Sequence, residues 1–313
     1  MTRCLVTGGA GFIGSHLAHA LVEKGWDVRI LDNFSTGKPQ NMDGFRDRVD
    51  FVEGSITDME TAKRCCDGVE VVFHQAALAS VPRSVEDPLT SNFHNVDGTL
   101  TMLMAARDAG VKRFVYAASS SAYGDSEALP KREDMPYEPL SPYAVNKYVG
   151  ELYLKVFDRL YGLSTVGLRY FNVFGPRQDP KSQYAAVIPI FITRMLRGEK
   201  PLINGDGSFS RDFTFIANVV HANICAATAE DTGGRTVNVA CGDRFSLNEL
   251  VRHINTHAGT SIEPEYGPVR AGDVPHSQAD ITLARRVLGY EPQVSFEEGL
   301  ARTVAWYREN LGA

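Results

Sequence analysis

The stretch Gly8-Gly9-Ala10-Gly11-Phe12-Ile13-Gly14 lies between a short apolar, β-prone run, Cys4-Leu5-Val6-Thr7, and a helix-periodic segment. That segment carries Leu17, Leu21 and Val22 and stops at Gly25. A second buried-looking strand, Val28-Arg29-Ile30-Leu31, follows and ends in Asp32. Few folds use a strand, a glycine turn, a helix and an acid-tipped strand in this order. Glycines permit a tight turn and close backbone approach, and the following helix N-terminus receives a pyrophosphate. A carboxylate at the next strand tip accepts hydrogen bonds from ribose hydroxyls and repels a 2′-phosphate. The expectation is a parallel α/β sheet holding NAD in preference to NADP. Gly8, Gly11, Phe12 and Ile13 would lie at the phosphates and Asp32 at the ribose. A glycine triplet alone is weak evidence; here each contextual requirement is met.

The remaining strands extend the same sheet. Asn33, Ser35, Thr36 and Gly37 form a polar loop placed to contact the adenosine half. Val49–Gly54 reads as a strand and turn, and Val69–His74 as another. Gln75-Ala76-Ala77 after it offers small residues beside which a cofactor can pass. His74, at a buried strand end, reads as a satisfied structural histidine. A long helix is expected from about Asp87 to Ala109. Val111–Ala118 is a fifth strand, and it delivers Ser119-Ser120-Ser121 to the carboxyl end of the sheet, where open parallel sheets bind ligands. Then Ser141 is a natural N-cap with Pro142 in the first helical position, so Tyr143 and Lys147 project from one helix face. A neighbouring cation favours phenolate, which places the Tyr143 titration below its usual value of about 10 and makes it a base for an alcohol. Ser164–Arg169 is a sixth strand.

The spacing Gly8-x-x-Gly11-x-x-Gly14, the Ser119 cluster and Tyr143-x-x-x-Lys147 together resemble the extended short-chain dehydrogenase/reductases of the nucleotide-sugar epimerase/dehydratase group. Arg169-Tyr170-Phe171-Asn172 and Ser210-Arg211-Asp212-Phe213 carry the resemblance downstream. It implies a Rossmann-type doubly wound parallel sheet with a smaller mixed α/β substrate-binding lobe. Residues 1–169 would form the NAD-binding domain and 170–313 the UDP-sugar lobe, the two interleaved around 213–240. It also implies the catalytic trio Ser119, Tyr143 and Lys147. Asn95 and Tyr170 would sit with the cofactor. Ser55 stands where many relatives carry an adenine-binding Asp, which leaves adenine to the backbone and Ile56. On the substrate side the resemblance selects Ser80, Ser119, Ser120 and Asn172, with Ala186 and Val187 walling the base and the strand and turn at Ile203 and Asn204 presenting backbone groups to it. Arg211 and Arg270 would hold the diphosphate, Asp273 the uridine ribose, and Ser277 would lie beside the sugar 2-position.

The serines at 119–121 also exclude chemistry. Dehydratases of the group present an Asp-Glu pair there and decarboxylases usually a Glu; hydroxyls suit oxidation and reduction at one carbon. The expected activity is 4-epimerisation of UDP-hexoses, with the small Ser277 leaving room for an N-acetyl group, so that UDP-GlcNAc and UDP-GalNAc interconvert alongside UDP-Glc and UDP-Gal. A UDP-glucuronate epimerase, a strict UDP-glucose epimerase and a non-catalytic NAD-binding protein are the alternatives. The last generally lacks the Tyr/Lys pair.

Composition agrees with an ordinary soluble globular protein. The chain has 313 residues, enough for a sizeable core, and 43% hydrophobic content. A net charge of −6 gives no basic footprint for nucleic acid or for a membrane surface. No apolar run reaches membrane-spanning length, and the first strand begins by about residue 3, so a cytoplasmic location without a signal peptide is expected. The five cysteines are odd in number and lack metal-ligand spacing, which reads as reduced thiols and no metal. His253 and His257, four apart, lack a third ligand and read as a solvated helix face. A homodimer through two long helices per subunit, about 90–109 and 143–160, is implied by the resemblance alone.

Overall fold

The structure is a computed structural model that describes residues 2–180, 186–269 and 274–310. Seven strands form its central sheet: β1 (Arg3–Thr7), β2 (Asp27–Asp32), β3 (Asp50–Glu53), β4 (Val71–His74), β5 (Arg113–Ser119), β6 (Ser164–Tyr170) and β7 (Thr236–Val239). They lie in the order β7-β6-β5-β4-β1-β2-β3, and every neighbouring pair is parallel. Helical crossovers cover both faces, which is why β1, β4, β5 and β6 read as nearly unbroken buried runs. Alternation divides their side chains between two cores. Leu5, Val72, Phe114 and Tyr116 meet Met102, Leu103 and Leu154 on one face. On the other, Val6, Phe73, Val115 and Leu168 meet Leu17, Leu21 and Val219. Strand order reverses between β1 and β4, and that reversal opens a crevice at their carboxyl ends.

Two helices position the site. The first, Phe12–Glu23, starts directly after the glycine turn. The second, Pro142–Tyr161, is capped as expected: Ser141 Oγ accepts from the Ala144 N–H, and Gly162 closes it at φ +70°. Its inner face brings Gly150 against Tyr116, where a Cβ would fall 2.3 Å from the phenol oxygen. The long helix expected from Asp87 to Ala109 runs unbroken from Pro88 to Asp108, but it is not regular: a π-helical turn at Phe93–Asp97 lies between α-helical Pro88–Asn92 and Gly98–Asp108. The wide turn surrounds Asn95, whose buried side chain accepts from the Leu78 N–H and donates to the Leu78 carbonyl. A π-turn of this kind is common where a side chain must be aimed at a site.

After β6 the chain leaves the sheet. Among the described residues it builds three small pairs, Val173–Phe174 parallel to Thr214–Phe215, Leu202–Asn204 parallel to Glu265–Gly267, and Ser210–Arg211 antiparallel to Phe245–Ser246. Helices Val187–Leu196, Leu247–Ala258 and Phe296–Asn310 pack about a cluster of Phe174, Phe213, Phe215, Phe245 and Phe296. Helix Ile216–Thr228 then returns to Phe12–Glu23, and β7 adds beside β6 with Asn238 opposite Arg169. Among the described residues, no helix is long and apolar enough to cross a membrane.

Candidate active site

The crevice between β1 and β4 is a groove of about 280 Å³. Gly8 turns at φ +69°, and a Cβ there would meet the Ala76 backbone at 2.8 Å. At Gly14 a Cβ would lie 2.1 Å from the Gly8 carbonyl oxygen, so helix and turn close only without side chains. First-turn N–H groups, among them those of Phe12 and Ile13, have no partner within the helix and suit an anion. Asp32 is buried at the tip of β2, its two oxygens accepting from the Ala10 and Phe34 N–H groups at 2.9 and 2.8 Å. Burial pushes its carboxyl up from the ordinary value, and those N–H groups pull it back. Each oxygen keeps acceptor capacity for a ribose hydroxyl. A cradle that any Cβ would fill, with an acid at its far end, fits the adenosine and pyrophosphate of NAD.

Gly8, Gly11, Phe12, Ile13, Asp32, Asn33, Ser35, Thr36, Ile56, Gln75, Ala76 and Ala77 all line this groove. Leu31, Gly54, Leu78, Ala79 and His94 line it too and were not foreseen. The first four adjoin strand ends already marked, whereas His94 comes in on the π-turn, which no apolar periodicity announces. Four candidates stand behind the wall. Gly37 abuts the Asp32 carboxylate and Ala10. The Ser55 hydroxyl is bonded to Thr57, and Asn95 anchors Leu78. Tyr170 donates to Gln75 and accepts from Asn223, steadying Gln75 from below.

Beyond the groove, β5 ends at Ser119, whose hydroxyl is 2.9 Å from that of Ser121 and close to the Tyr143 phenol. Ser120 is half-buried in the same turn. Lys147 is buried, donates to the Ala117 carbonyl at 2.8 Å, and lies 6.0 Å from the centre of the Tyr143 ring. Here the titration expected for Tyr143 needs correction. Burial raises its phenol above the ordinary value, and the Ser119 hydrogen bond is what pulls it down. Lys147 is turned to a carbonyl rather than to the phenol, and burial lowers its own pKa to about 7 against the opposing pull of Glu151. His74 is satisfied on both ring nitrogens by Thr7 and Thr99, at 2.9 and 3.1 Å.

On the far side Asn172, held at φ +36°, donates to the Asp212 carbonyl and to the Ser277 hydroxyl at 3.0 and 3.1 Å. Arg211 donates to the Ser210 and Pro275 carbonyls beside them. Asn172, Arg211 and Ser277 therefore share one floor. Ser80 accepts from the Arg83 N–H as N-cap of Val81–Glu86. Ala186 and Val187 open the next helix of the lobe, and Asn204 ends its strand half-buried. The Ile203 side chain is fully buried in the core, which leaves only the backbone of this strand to face a base. Three residues are too few to show alternation in the sequence, so its inward face was not legible. Arg270 and Asp273 lie outside the described residues.

A glycine cradle, an acid-tipped second strand and a Tyr/Lys helix on a parallel sheet define an NAD-dependent enzyme of the short-chain dehydrogenase/reductase type. The chain belongs to the NAD dependent epimerase/dehydratase family, whose model matches residues 4–240. It is 43% identical over 310 residues to the UDP-glucose 4-epimerase of Mycolicibacterium smegmatis, covering 98% of each chain. Among solved structures, the UDP-glucose 4-epimerase of Thermotoga maritima with UDP-glucose superposes with a TM-score of 0.94 at 42% identity, over 99% of this chain and 100% of that one. The UDP-N-acetylglucosamine 4-epimerase of Methanobrevibacter ruminantium in complex with UDP-N-acetylmuramic acid gives a TM-score of 0.95 at 40% identity, over 99% of both chains.

Proposed function

We propose that this protein is a UDP-sugar 4-epimerase that interconverts UDP-GlcNAc and UDP-GalNAc and also accepts UDP-Glc and UDP-Gal. The observation that carries the substrate reading is Ser277, a small hydroxyl residue bonded to Asn172, where a bulky side chain would narrow the space at the sugar 2-position. Gly8, Gly11, Asp32 and the 33–37 loop hold the dinucleotide, and Lys147 is the group for its nicotinamide ribose. Bound NAD supplies the hydride acceptor and a positive charge that eases the phenol proton away. Tyr143 takes the proton of the sugar 4-hydroxyl as that carbon is oxidised, and gives it back when the carbon is reduced on its other face. Ser119 donates to the 4-oxygen throughout. Positions 119, 120 and 121 are all serine, so no carboxylate stands there to drive elimination. Arg211 holds the diphosphate while the keto sugar turns. We also propose a homodimer, on the exposed apolar residues of the 81–97 and 142–161 helical segments.

The purified protein without added cofactor, incubated separately with UDP-GlcNAc and UDP-Glc, would be followed by NMR of the anomeric protons. Faster conversion of UDP-GlcNAc to its galacto epimer is the expected result, and Ser277→Tyr should suppress it while sparing UDP-Glc. Turnover of UDP-Glc alone would overturn the substrate reading. No turnover of either, with NAD bound, would point to UDP-glucuronate.

A further inference from the structure

Among the described residues the largest fully buried side chain is a cation, Arg169, and its partner Glu151 is equally hidden, each about 1% exposed. Nε and Nη2 donate to the two Glu151 oxygens at 2.9 and 2.7 Å, a bidentate fork. Nη1 donates to the Tyr123 hydroxyl at 2.6 Å, and Nη2 also bonds Tyr137. The Tyr123 hydroxyl in turn donates to Asn238 Oδ1 at 2.7 Å, so it is satisfied on both sides. A buried ion pair is poor evidence of stability, because its desolvation cost rivals its attraction. It does fix geometry.

What this one fixes is specific. Glu151 lies one turn beyond Lys147 on the helix that carries Tyr143. Tyr123 ends the short turn Ser120–Tyr123 that begins at Ser119. Arg169 itself lies in β6 opposite Ala118, the residue before Ser119. One guanidinium thus joins the two separate segments from which the reacting groups project. We infer that Arg169, through Glu151 and Tyr123, is a positioning residue that sets the separation of Ser119 from Tyr143. The inference rests on the reading of Ser119, Tyr143 and Lys147 as the reacting groups. Misplacement on the ångström scale is enough to cost about tenfold to a hundredfold in rate.

The test compares Tyr123→Phe, Arg169→Lys and Tyr143→Phe with the parent enzyme, each carrying its bound NAD. Tyr123→Phe leaves the ion pair intact and cuts the link to the serine turn together with the Tyr123–Asn238 hydrogen bond; Arg169→Lys keeps the charge and loses the fork. Assays run well below each melting temperature, on protein shown folded by circular dichroism. Positioning predicts kcat lowered about tenfold or more in Tyr123→Phe, with KM within about twofold and NAD content unchanged. An unchanged kcat in Tyr123→Phe, or a loss confined to KM or to melting temperature, overturns the inference. Should Arg169→Lys not fold, Tyr123→Phe decides alone. Tyr143→Phe separates the two readings: if it is inactive while Tyr123→Phe is normal, only the positioning role falls. If it retains turnover, the assignment of the reacting groups falls.

Discussion

His74 shows how burial turns a titratable side chain into a pH liability. Its ring is held neutral between Thr7 and Thr99, and burial pushes its pKa down to about 3. An unfolded chain binds that proton near the usual value of about 6.5, so between these limits the unfolded state carries the extra proton. Stability from this group is fully present above about 6.5 and is lost as pH falls toward 3. In urea melts at pH 7 and pH 4.5, His74→Gln should lose less stability across the interval than the parent, by on the order of 1 kcal/mol or more. An equal loss in both would assign the acid sensitivity elsewhere. Lys147 acts in the same sense at higher pH: folded near 7 and unfolded near 10.5, it makes stability rise with pH between the two. Residues whose chemistry dictates their type were legible in the sequence, as with the glycines and Asp32 around the groove. The environment of those residues was not. The sequence displayed Lys147 one turn from Tyr143 but not the Ala117 carbonyl that captures its ammonium, and nothing marked Arg169 as the hub of a buried network.

At the level of elements, the glycine turn and its helix act as one unit. Gly14→Ala places a Cβ 2.1 Å from the Gly8 carbonyl, and backbone cannot yield as a side-chain tip can. The helix must tilt away from the turn. A misfit costing about 2 kcal/mol of binding lowers NAD affinity roughly 30-fold. The purified variant should therefore lose its excess absorbance at 260 nm; full retention of NAD would show that the turn tolerates the methyl. Strands of the sheet and the helices at 12 and 142 were readable because apolar runs, caps and stops agree there. Where a functional side chain bends the element, local rules fail. The π-turn around Asn95 is such a case, since the extra residue serves the Leu78 contact and brings His94 to the groove, at the expense of regular helix periodicity.

For the whole molecule, eight of the exposed apolar residues stand on two neighbouring helical segments. Val145, Leu152, Val156 and Leu160 follow helical spacing on the outer face of Pro142–Tyr161, and Val81, Val85, Leu89 and Phe93 stand on the neighbouring segment, Leu89 being 83% exposed. Such a patch suits a second copy of the chain in a symmetric pairing. If the proposed dimer forms there, Leu89→Asp with Val156→Asp should halve the mass measured by light scattering during gel filtration; a parent already at monomer mass, or a variant still at dimer mass, would overturn this interface. A different consequence follows from β7. Its strand is encoded some 66 residues after β6 ends, yet it is the neighbour that covers the β6 edge. While the chain is being synthesised, β6 waits with an unpaired, Val- and Leu-bearing edge until the intervening lobe has been made. Nascent protein stalled before residue 236 should consequently depend on chaperones and be cut readily by protease, whereas chains released beyond 240 close that edge themselves.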